Sequence, residues 1–524
     1  MSRLKNFSRS VATSYLFIGV NVLYTLASVP LALHYLSKAE FGLWAVTLQI
    51  AGYIALIDLG MGSSVARILI DHKDDRAGGR YGAVIKSGFL VGSVQAALVL
   101  VVGFSIVWFM AAWLKVPPEL SRSFLWLIIG QVLITAAMFL TRISSQLLYA
   151  WQRIDVYNYS QIVQLILGFG ALWGGFLLGF GVYSLLAGSA VLWFSGAIMN
   201  FLACYRLGFF PRAGEWGQAS GREFRELFSY GADVFLIGLG TQLIISSQTV
   251  LVSRQLGLEA AALWSVMTKA FTLVSQIVWR IIGNAMPAFA EMRVRKEDER
   301  MWNRFRGLFI IVSVFAGICA ILFAGCNGPF VRIWTHNRFS WPLIDNVLLG
   351  LWLVASAQQC CHNSLIMNLK EIKGLKYVYL TEGVVFIGVA LMILPVRGLT
   401  GMLICSLGAT TLFTWLAGTW RVANLSGKGW KQLLWNWQLP LFRQLIILVP
   451  CWLGVEWIVH GASDWVRLIV NGGVLTLTGL LVALRFALPR DLTVEILDKL
   501  PRPLKRLGGV LAGPSRDCHY GRAL

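Results

Sequence analysis

Long apolar runs dominate this chain of 524 residues and follow one another with little polar sequence between them. Crossing a bilayer takes about 20 mostly apolar residues, and a helix satisfies its own backbone polar groups within lipid. Charged residues make up only 13% of the chain, against about 25% in soluble domains. We therefore predict an all-α polytopic membrane protein with about fourteen transmembrane helices. The predicted spans are 11–36, 41–66, 87–114, 124–149, 158–179, 182–205, 232–255, 260–287, 307–333, 342–368, 377–395, 399–420, 441–460 and 463–488.

The basic residues are distributed unevenly along this predicted topology. The formal net charge of +20 would by itself also suit a protein that binds nucleic acid. If the N-terminus is cytoplasmic, however, most of the 45 Lys and Arg residues fall in cytoplasmic segments, as the positive-inside rule expects. An even number of spans then places both termini in the cytoplasm. We interpret the basic loops as topology determinants that meet anionic lipid, and we expect no nucleic acid partner.

The cysteines form neither a disulfide framework nor a metal-ligand pattern. Seven of the eight lie within or at the ends of predicted spans, and none belongs to a CxxC or Cys/His pattern. We therefore expect small core residues and neither a metal site nor a cofactor. The N-terminal apolar run continues to Leu36, which is too long for the apolar region of a signal peptide, so it is predicted to be a retained first helix.

The chain repeats itself at an offset of 220 residues. Leu36–Val46 (LSKAEFGLWAV) aligns with Leu256–Val266 (LGLEAAALWSV), and Trp44 coincides with Trp264. Each segment is a short turn between the first two spans of a half, and each second span ends in a long charged loop. Chance matching of apolar sequence is the alternative. The pattern predicts two pseudo-symmetric six-helix lobes arranged as parallel repeats, plus two extra C-terminal helices.

Polar segments suggest where these lobes begin and end. Arg206–Tyr230 is the longest polar stretch between the halves and is the expected hinge. The segment 491–511 mixes Leu and Val with Lys and Arg, which favours an amphipathic segment on the inner membrane surface, with disorder as the alternative. The predicted parts are an N-lobe (1–205), a cytoplasmic linker (206–231), a C-lobe (232–421), spans thirteen and fourteen (422–489), and a cytoplasmic amphipathic or disordered tail (490–524).

Three segments carry a family resemblance. They are PLALHYLSKAEFGLWAV at the end of the first span, IDLGMGSSVAR (Ile57–Arg67) at the end of the second, and AMPAFAEM (Ala285–Met292) before an acidic and basic loop. In them the chain resembles the polysaccharide/O-antigen repeat-unit flippases of the multidrug/oligosaccharidyl-lipid/polysaccharide exporter superfamily. Elsewhere the agreement is limited to span count and hydropathy.

This resemblance implies both a fold and a function. The implied fold is two six-helix lobes in a V shape. The implied function is export of an undecaprenyl-diphosphate-linked oligosaccharide across the bacterial inner membrane, for O-antigen, exopolysaccharide or capsule synthesis. The expected partners are this anionic lipid-linked oligosaccharide and membrane lipids, with a polysaccharide polymerase and a chain-length regulator as further candidates.

Two cations stand inside the otherwise apolar eighth span. Lys269 and Arg280 are eleven residues apart, so on a helix they share one face about 16 Å apart, with Gln276 on the same stripe. A cation at the centre of a membrane helix costs about 2.5–3.5 kcal/mol and normally faces water or a partner. A point charge and a planar guanidinium suit a diphosphate. Extension of Arg280 to the inner surface is the alternative.

Uncharged polar residues in other spans are candidates for contacts with sugar hydroxyls. Gln49 occupies the repeat position that corresponds to Lys269, which predicts a similar depth. An interhelical hydrogen bond is the alternative for each of them. The candidates are Asn21, Tyr24, Gln49, Gln242, Ser246, Gln359 and Asn363.

Asp58 and Arg142 require a separate interpretation. Each lies near the inner end of its predicted span, and equal depth predicts a structural ion pair. The alternative for Arg142 is a place in the anion path. Coupling to H⁺ or Na⁺ would need a titrating carboxylate, for which the candidates are Asp58, Asp233, Asp345, Glu382 and Glu456.

Competing functions are weakened by what the sequence lacks. A drug exporter of the same superfamily typically has a carboxylate in its first-lobe cavity, but the first span contains no Asp or Glu. A membrane glycosyltransferase or polymerase usually needs a large outer loop, and a nucleotide-driven pump needs a phosphate-binding GxxxxGK[ST] loop; neither is present. We therefore expect a transporter and not an enzyme, with a peptidoglycan-precursor flippase and a cation-coupled drug exporter as alternatives.

Overall fold

The computed structural model describes residues 3–58, 61–72, 76, 78–217, 221–369, 374–489 and 492–494. Throughout these residues the secondary structure is helical. Most of the predicted tail (490–524) and the side chain of Asp233 lie outside this description. The α-helices are α1 (Arg3–Tyr35), α2 (Lys38–Ile54), α3 (Met61–His72), α4 (Arg80–Trp113), α5 (Pro118–Thr141), α6 (Ile143–Ala150), α7 (Ile154–Leu177), α8 (Tyr183–Arg206), α9 (Gly221–Leu256), α10 (Leu258–Met267), α11 (Lys269–Val294), α12 (Asp298–Leu322), α13 (Gly328–Trp334), α14 (Leu343–Asn368), α15 (Leu375–Thr410), α16 (Leu416–Ser426), α17 (Trp430–Ile458) and α18 (Asp464–Val482).

The predicted all-helical membrane fold is confirmed, but the count of fourteen spans is not. Within the described residues, 12 helical stretches are long and apolar enough to cross a membrane, or 13 if the bent pair α10 and α11 forms one span. One stretch, Leu375–Ser426, contains 52 residues, which is about 78 Å of helix against a hydrocarbon core of about 30 Å. Its length fits the two crossings predicted at 377–395 and 399–420.

A glycine interrupts this long stretch. Gly398 has φ 58° and ψ −142° inside α15, a backbone conformation that residues with a Cβ atom rarely adopt. The helix path therefore changes direction between the two predicted crossings.

The two turns of the sequence repeat fold alike. Helix α1 ends at Tyr35, and Ser37 caps α2 with its side chain, which accepts a hydrogen bond from Glu40 N. In the second copy, α9 ends at Leu256 and Gly257 turns the chain with φ 90° before α10. Both segments are helix–turn–helix connections, as the aligned sequences predict.

By contact density the chain forms two compact units. The first unit contains Met1–Val266 and Lys373–Met402, and the second contains Met267–Ile372 and Leu403–Leu524. These limits differ from the predicted lobes at 1–205 and 232–421, which stay a prediction.

In the first unit, glycines bring α7 and α8 close together. A Cβ atom on Gly168 would lie 3.2 Å from the carbonyl oxygen of Gly188, and one on Gly196 would overlap Gln164 Oε1. Small residues let membrane helices approach and gain van der Waals contact where no hydrophobic effect drives them together. On another side of α7, Asn158 Nδ2 donates to Ser14 Oγ at 2.9 Å, which ties α7 to α1.

The first part of the predicted hinge packs into the first unit. Tyr81 OH donates to the carbonyl oxygen of Phe209 at 2.7 Å, and the Trp151 ring stacks on the Phe209 ring at 5.0 Å. Arg76 Nη1 also donates to Gly208 O at 3.0 Å. These contacts hold the start of the linker against the neighbouring ends of the first-unit helices.

In the second unit, α17 and α18 pack on α12. Their shared core includes Ile310, Val314, Leu448 and Leu475. Bidentate hydrogen bonds join Arg332 to Asp464 at 2.9 and 2.5 Å, and an ion pair joins Arg467 to Glu456. The two helices outside the sequence repeat are therefore an integral part of this unit.

Exposed tryptophans mark the ends of the apolar part of α17. Trp435 and Trp457 are 62% and 82% exposed. Their 22-residue separation corresponds to about 33 Å of helix, close to the thickness of a hydrocarbon core, and tryptophan favours the membrane–water interfaces.

Candidate functional site

A break in the second predicted span positions Asp58. Helix α2 ends at Ile54, and a short 3-10 turn covers Ala55–Asp58 before α3 begins at Met61. The Asp58 carboxylate accepts a hydrogen bond from Gly62 N at 3.2 Å. The side chain thus satisfies a backbone donor that the interrupted helix leaves over.

Arg142 lies at the junction of α5 and α6 and points to this break. Its Nη1 atom forms an ion pair with Asp58, and its Nη2 atom donates to Gln95 Oε1 at 2.5 Å. The Arg142 side chain is 14% exposed and the Asp58 side chain 35%. The predicted ion pair is therefore present, and a place for Arg142 in an anion path stays a prediction.

Gln95, which is not among the predicted site residues, completes this cluster. Its Nε2 atom donates to the carbonyl oxygens of Ile57 and Asp58 at 3.1 and 2.8 Å. One amide thus holds both the broken backbone and the guanidinium of Arg142. A glutamine inside the apolar span 87–114 was the available signal, since polar groups in a membrane helix need partners.

The predicted cationic stripe lies on one uninterrupted helix. Lys269 is the first residue of α11, just after the bend from α10, and Arg280 follows three turns later. Both side chains are partly buried. No hydrogen bond or ion pair joins either side chain to another described residue.

The opposite face of α11 is packed within the second unit. Val278 and Ile282, about half a turn from the stripe, are 1% and 0% exposed. At one end of the helix, the Phe271 ring stacks on the Trp352 ring of α14 at 4.2 Å. At the other end, Asn368 Nδ2 donates to Met286 O at 3.0 Å. The packing leaves the face with Lys269 and Arg280 turned away from α14.

This outward face of α11 is mostly polar, with the partly buried Leu273 as an apolar member. Thr272, Gln276, Gly283 and Asn284 are all exposed within the second unit and lie within about 60° of Lys269 around the helix. Polar groups are unfavourable against hydrocarbon. The composition of this face therefore favours contact with water or with a polar ligand.

The uncharged candidates occupy different settings. Ser246 is fully buried where α9 packs on α2: a Cβ atom on Gly52 would lie 3.0 Å from its Oγ atom and 2.7 Å from Gln242 Nε2. That position suits an interhelical contact. The Tyr24 ring meets the Phe169 ring edge-on at 6.2 Å. The remaining candidates, Asn21, Gln49, Gln359 and Asn363, are partly buried.

In the second unit, α14 carries a buried amide network. Gln358 and Gln438 exchange two hydrogen bonds of 2.9 Å between their side-chain amides. Gln358 also donates to Ser313 Oγ at 3.1 Å and accepts from Trp415 Nε1 at 2.7 Å. These bonds fasten α17 to α12 and α14, so Gln358 serves the packing of this unit.

The carboxylates that are candidates for H⁺ or Na⁺ coupling lie in different surroundings. Asp58 and Glu456 are each paired with an arginine, Arg142 and Arg467 respectively. Glu382 is 0% exposed in α15 of the first unit. Within the described residues no group of three or more His, Cys, Asp or Glu side chains is arranged to hold a metal ion.

A family model described as "Polysaccharide biosynthesis protein" matches residues 9–293, more than half of the chain. The chain belongs to this family. It is a polytopic membrane protein of the polysaccharide biosynthesis family, in agreement with the resemblance of the three sequence segments. No curated protein matches it significantly.

Solved structures of transporters share the fold of this family member. The chain is similar to the structure "Lipid II flippase MurJ, inward closed conformation", with 12% identity, a TM-score of 0.64, and coverage of 90% of this chain and 98% of that one. Another is an inward-facing multidrug resistance MATE family transporter of the MOP superfamily, with 15% identity, TM-score 0.54, and coverage of 77% and 95%. A third is a mutant of the Vibrio cholerae MATE transporter VcmN, with 14% identity, TM-score 0.51, and coverage of 81% and 98%. At these identities the likeness establishes the fold alone.

Proposed function

We propose that this protein is a flippase that moves an undecaprenyl-diphosphate-linked oligosaccharide across the bacterial inner membrane by alternating access. Membership of the polysaccharide biosynthesis family supports transport in that context. The inference that the substrate is anionic rests on the polar face of α11, on which Lys269 and Arg280 have no acidic partner among the described residues.

The proposed substrate needs three kinds of contact. Its diphosphate needs cations, which Lys269 and Arg280 supply as a point charge and a planar donor group. Its sugars need amide and hydroxyl groups, such as those of Thr272, Gln276 and Asn284 on the same face. Its hydrocarbon tail needs access to lipid.

The membrane potential favours this direction of transport. Moving one elementary charge across 100 mV is worth about 2.3 kcal/mol, so outward movement of an anion is driven by an interior-negative potential. Coupling to an ion is therefore not required by energetics.

The decisive experiment removes the two positive charges and follows export. Lys269→Gln and Arg280→Gln proteins should insert normally, and the double variant should leave lipid-linked glycan accumulating on the cytoplasmic side. Arg397→Gln, at an exposed cation, is the matched control and should export normally. Undiminished polymer output from the double variant would reject the proposed roles.

The same cells separate the alternative functions. A drug exporter would change the resistance of the host to cationic compounds while leaving surface polysaccharide intact. A peptidoglycan-precursor flippase would be identified by cell lysis on depletion and by rescue of a strain that lacks its own precursor flippase. Loss of surface polymer alone supports the proposal.

A further inference from the structure

The first unit contains a polar recess between α5, α6, α7 and α8, and none of its lining residues lies on α11. Its volume is about 70 Å³, and its lining includes Thr141, Arg142, Gln161, Gln164 and Asn200. A cavity of about 10–15 Å³ holds one water, so the recess can accommodate several waters or a small polar group. Polar side chains grouped in this way inside membrane helices indicate a polar occupant.

One buried acceptor atom in the recess has no hydrogen-bond donor among the described residues. Asn200 is 9% exposed, and no described residue donates a hydrogen bond to its buried Oδ1 atom. Leaving such an acceptor without a partner costs about 1–3 kcal/mol. The occupant should therefore donate a hydrogen bond.

The other polar atoms of the lining require an occupant that also accepts. Gln161 Oε1 accepts from Gln164 Nε2 at 2.5 Å, which leaves the amide N–H groups of Gln161 available. The Thr141 and Ser145 hydroxyls donate to Ala137 O at 2.8 Å and Arg142 O at 2.6 Å, so their oxygen lone pairs remain available. A hydroxyl group both donates and accepts, and it suits this mixture.

The charge in the recess is already balanced. Arg142 lines it, but its guanidinium is paired with Asp58. A cationic occupant would be repelled by the guanidinium, and an anion is not needed to neutralise it. Neutral hydroxyl groups fit best.

The rim of the recess is apolar and exposed. Trp193 and Phe194, which also line it, are 42% and 46% exposed, and neighbouring Ile198 is 58% exposed. Its polar residues on α7 lie three to ten residues after the start of that helix at Ile154, about 5–15 Å along the axis. For a span that begins at the membrane surface at Ile154, this is the depth at which lipid headgroups give way to acyl chains. An amphiphile could place its head in the recess and its chains on the rim.

We propose that this recess binds the glycerol headgroup of a membrane phospholipid, with phosphatidylglycerol as the fitting chemistry. Its headgroup hydroxyls donate to Asn200 and accept from Gln161, while the acyl chains lie on Trp193 and Phe194. A choline headgroup has no donor for Asn200 Oδ1, and an ethanolamine headgroup brings a cation toward Arg142. The site would tie the first unit to the lipid composition of the membrane, independently of the transported substrate.

The test measures lipid binding to the whole detergent-purified protein by native mass spectrometry and by thermal melting. The probes are phosphatidylglycerol, phosphatidylethanolamine and phosphatidylcholine with identical acyl chains. Wild-type protein should bind phosphatidylglycerol about tenfold more tightly than either other lipid and melt at a higher temperature with it. Asn200→Leu and Gln161→Ala should each remove most of this preference, because each deletes a hydrogen-bonding group of the recess.

Ser195→Ala is the matched control, since Ser195 lies on the same helix and its hydroxyl donates to Leu192 O at 3.1 Å outside the recess lining. It should keep the preference. If Asn200→Leu fails to fold, the partly buried Gln161 position carries the test. Equal binding of the three lipids, or an unchanged preference in the folded recess variants, would overturn the proposal. Displacement of phosphatidylglycerol by a lipid-linked glycan would instead make the recess a substrate site, and would also overturn it.

Discussion

Arg142 and Asp58 form an ion pair at the point where the second membrane span is broken. The guanidinium also donates to Gln95, whose own amide holds two backbone carbonyl groups of the break. The two charges, the Gln95 amide and the backbone carbonyl groups of the break therefore all have partners within this cluster. Removing one member leaves the others with unmet hydrogen bonds.

Replacing Arg142 should destabilise the protein more than the loss of one contact suggests. Arg142→Ala leaves both Asp58 and Gln95 without the guanidinium donor, and we expect a loss of about 1–3 kcal/mol in unfolding free energy. Asp58→Ala should cost a similar amount. Because the two changes remove one interaction, the double variant should lose about 1 kcal/mol less than the sum of the single losses. Thermal melting in detergent measures all three variants.

The exposed pair Arg295–Glu291 provides the matched control. Its side chains are 63% and 62% exposed, so its coupling should not exceed about 0.5 kcal/mol. Strict additivity of Arg142→Ala and Asp58→Ala would show that the pair contributes nothing to stability.

The sequence predicts the helices of this fold better than their interruptions. Apolar runs of about 20 residues are strong signals because lipid penalises every unsatisfied backbone group. The turns of the repeat were equally readable, since Leu36–Val46 and Leu256–Val266 align. The kink at Gly398 falls in the gap between the predicted spans 377–395 and 399–420. The break after Ile54 was not predicted, because a polar residue inside a hydrophobic run barely changes its mean hydropathy.

The sequence could place residues on a helix face but could not choose their partners. The stripe of Lys269, Gln276 and Arg280 follows from helical periodicity alone, and α11 is continuous across it. The hydrogen bond from Arg142 to Gln95 joins elements that are distant in sequence. Such contacts are set by packing between helices, which one sequence does not reveal.

Gly398 should resist substitution because of its backbone conformation. At φ 58° and ψ −142°, an alanine would be strained, and we expect Gly398→Ala to cost about 1–3 kcal/mol of unfolding free energy. Gly408→Ala in the same helix is the control: no atom lies within 4 Å of the added Cβ, so it should be neutral or stabilise by up to about 1 kcal/mol. Thermal melting of the two variants compares them directly, and equal melting temperatures would contradict the assigned strain.

The amide pair of Gln358 and Gln438 should show partial rescue. Both residues are almost completely buried, with 2% and 8% of their surface exposed. Gln358→Met leaves the Gln438 amide and the Trp415 N–H without their partners, which should cost about 2–4 kcal/mol. Adding Gln438→Met removes one of these buried polar groups and should recover about 1 kcal/mol or more. Melting of the two variants gives the sign, and further destabilisation in the double variant would exclude this explanation.

Water on the polar face of α11 can be detected by thiol chemistry. In a cysteine-free background, Gln276→Cys should react with water-soluble methanethiosulfonates, whereas Val278→Cys, at a position 1% exposed, should not.

The anionic ethylsulfonate should react faster than the cationic trimethylammonium reagent, because Arg280 lies one turn away, about 6 Å along the axis. A unit charge at that distance in water is worth about 0.7 kcal/mol. Neutralising it with Arg280→Gln should therefore lower the anion-to-cation rate ratio about tenfold. Lys428→Gln, at an exposed cation outside this helix, should leave the ratio unchanged. If Gln276→Cys reacts with neither reagent, the face lies against lipid or protein, and the cations of α11 do not attract a negatively charged substrate through water.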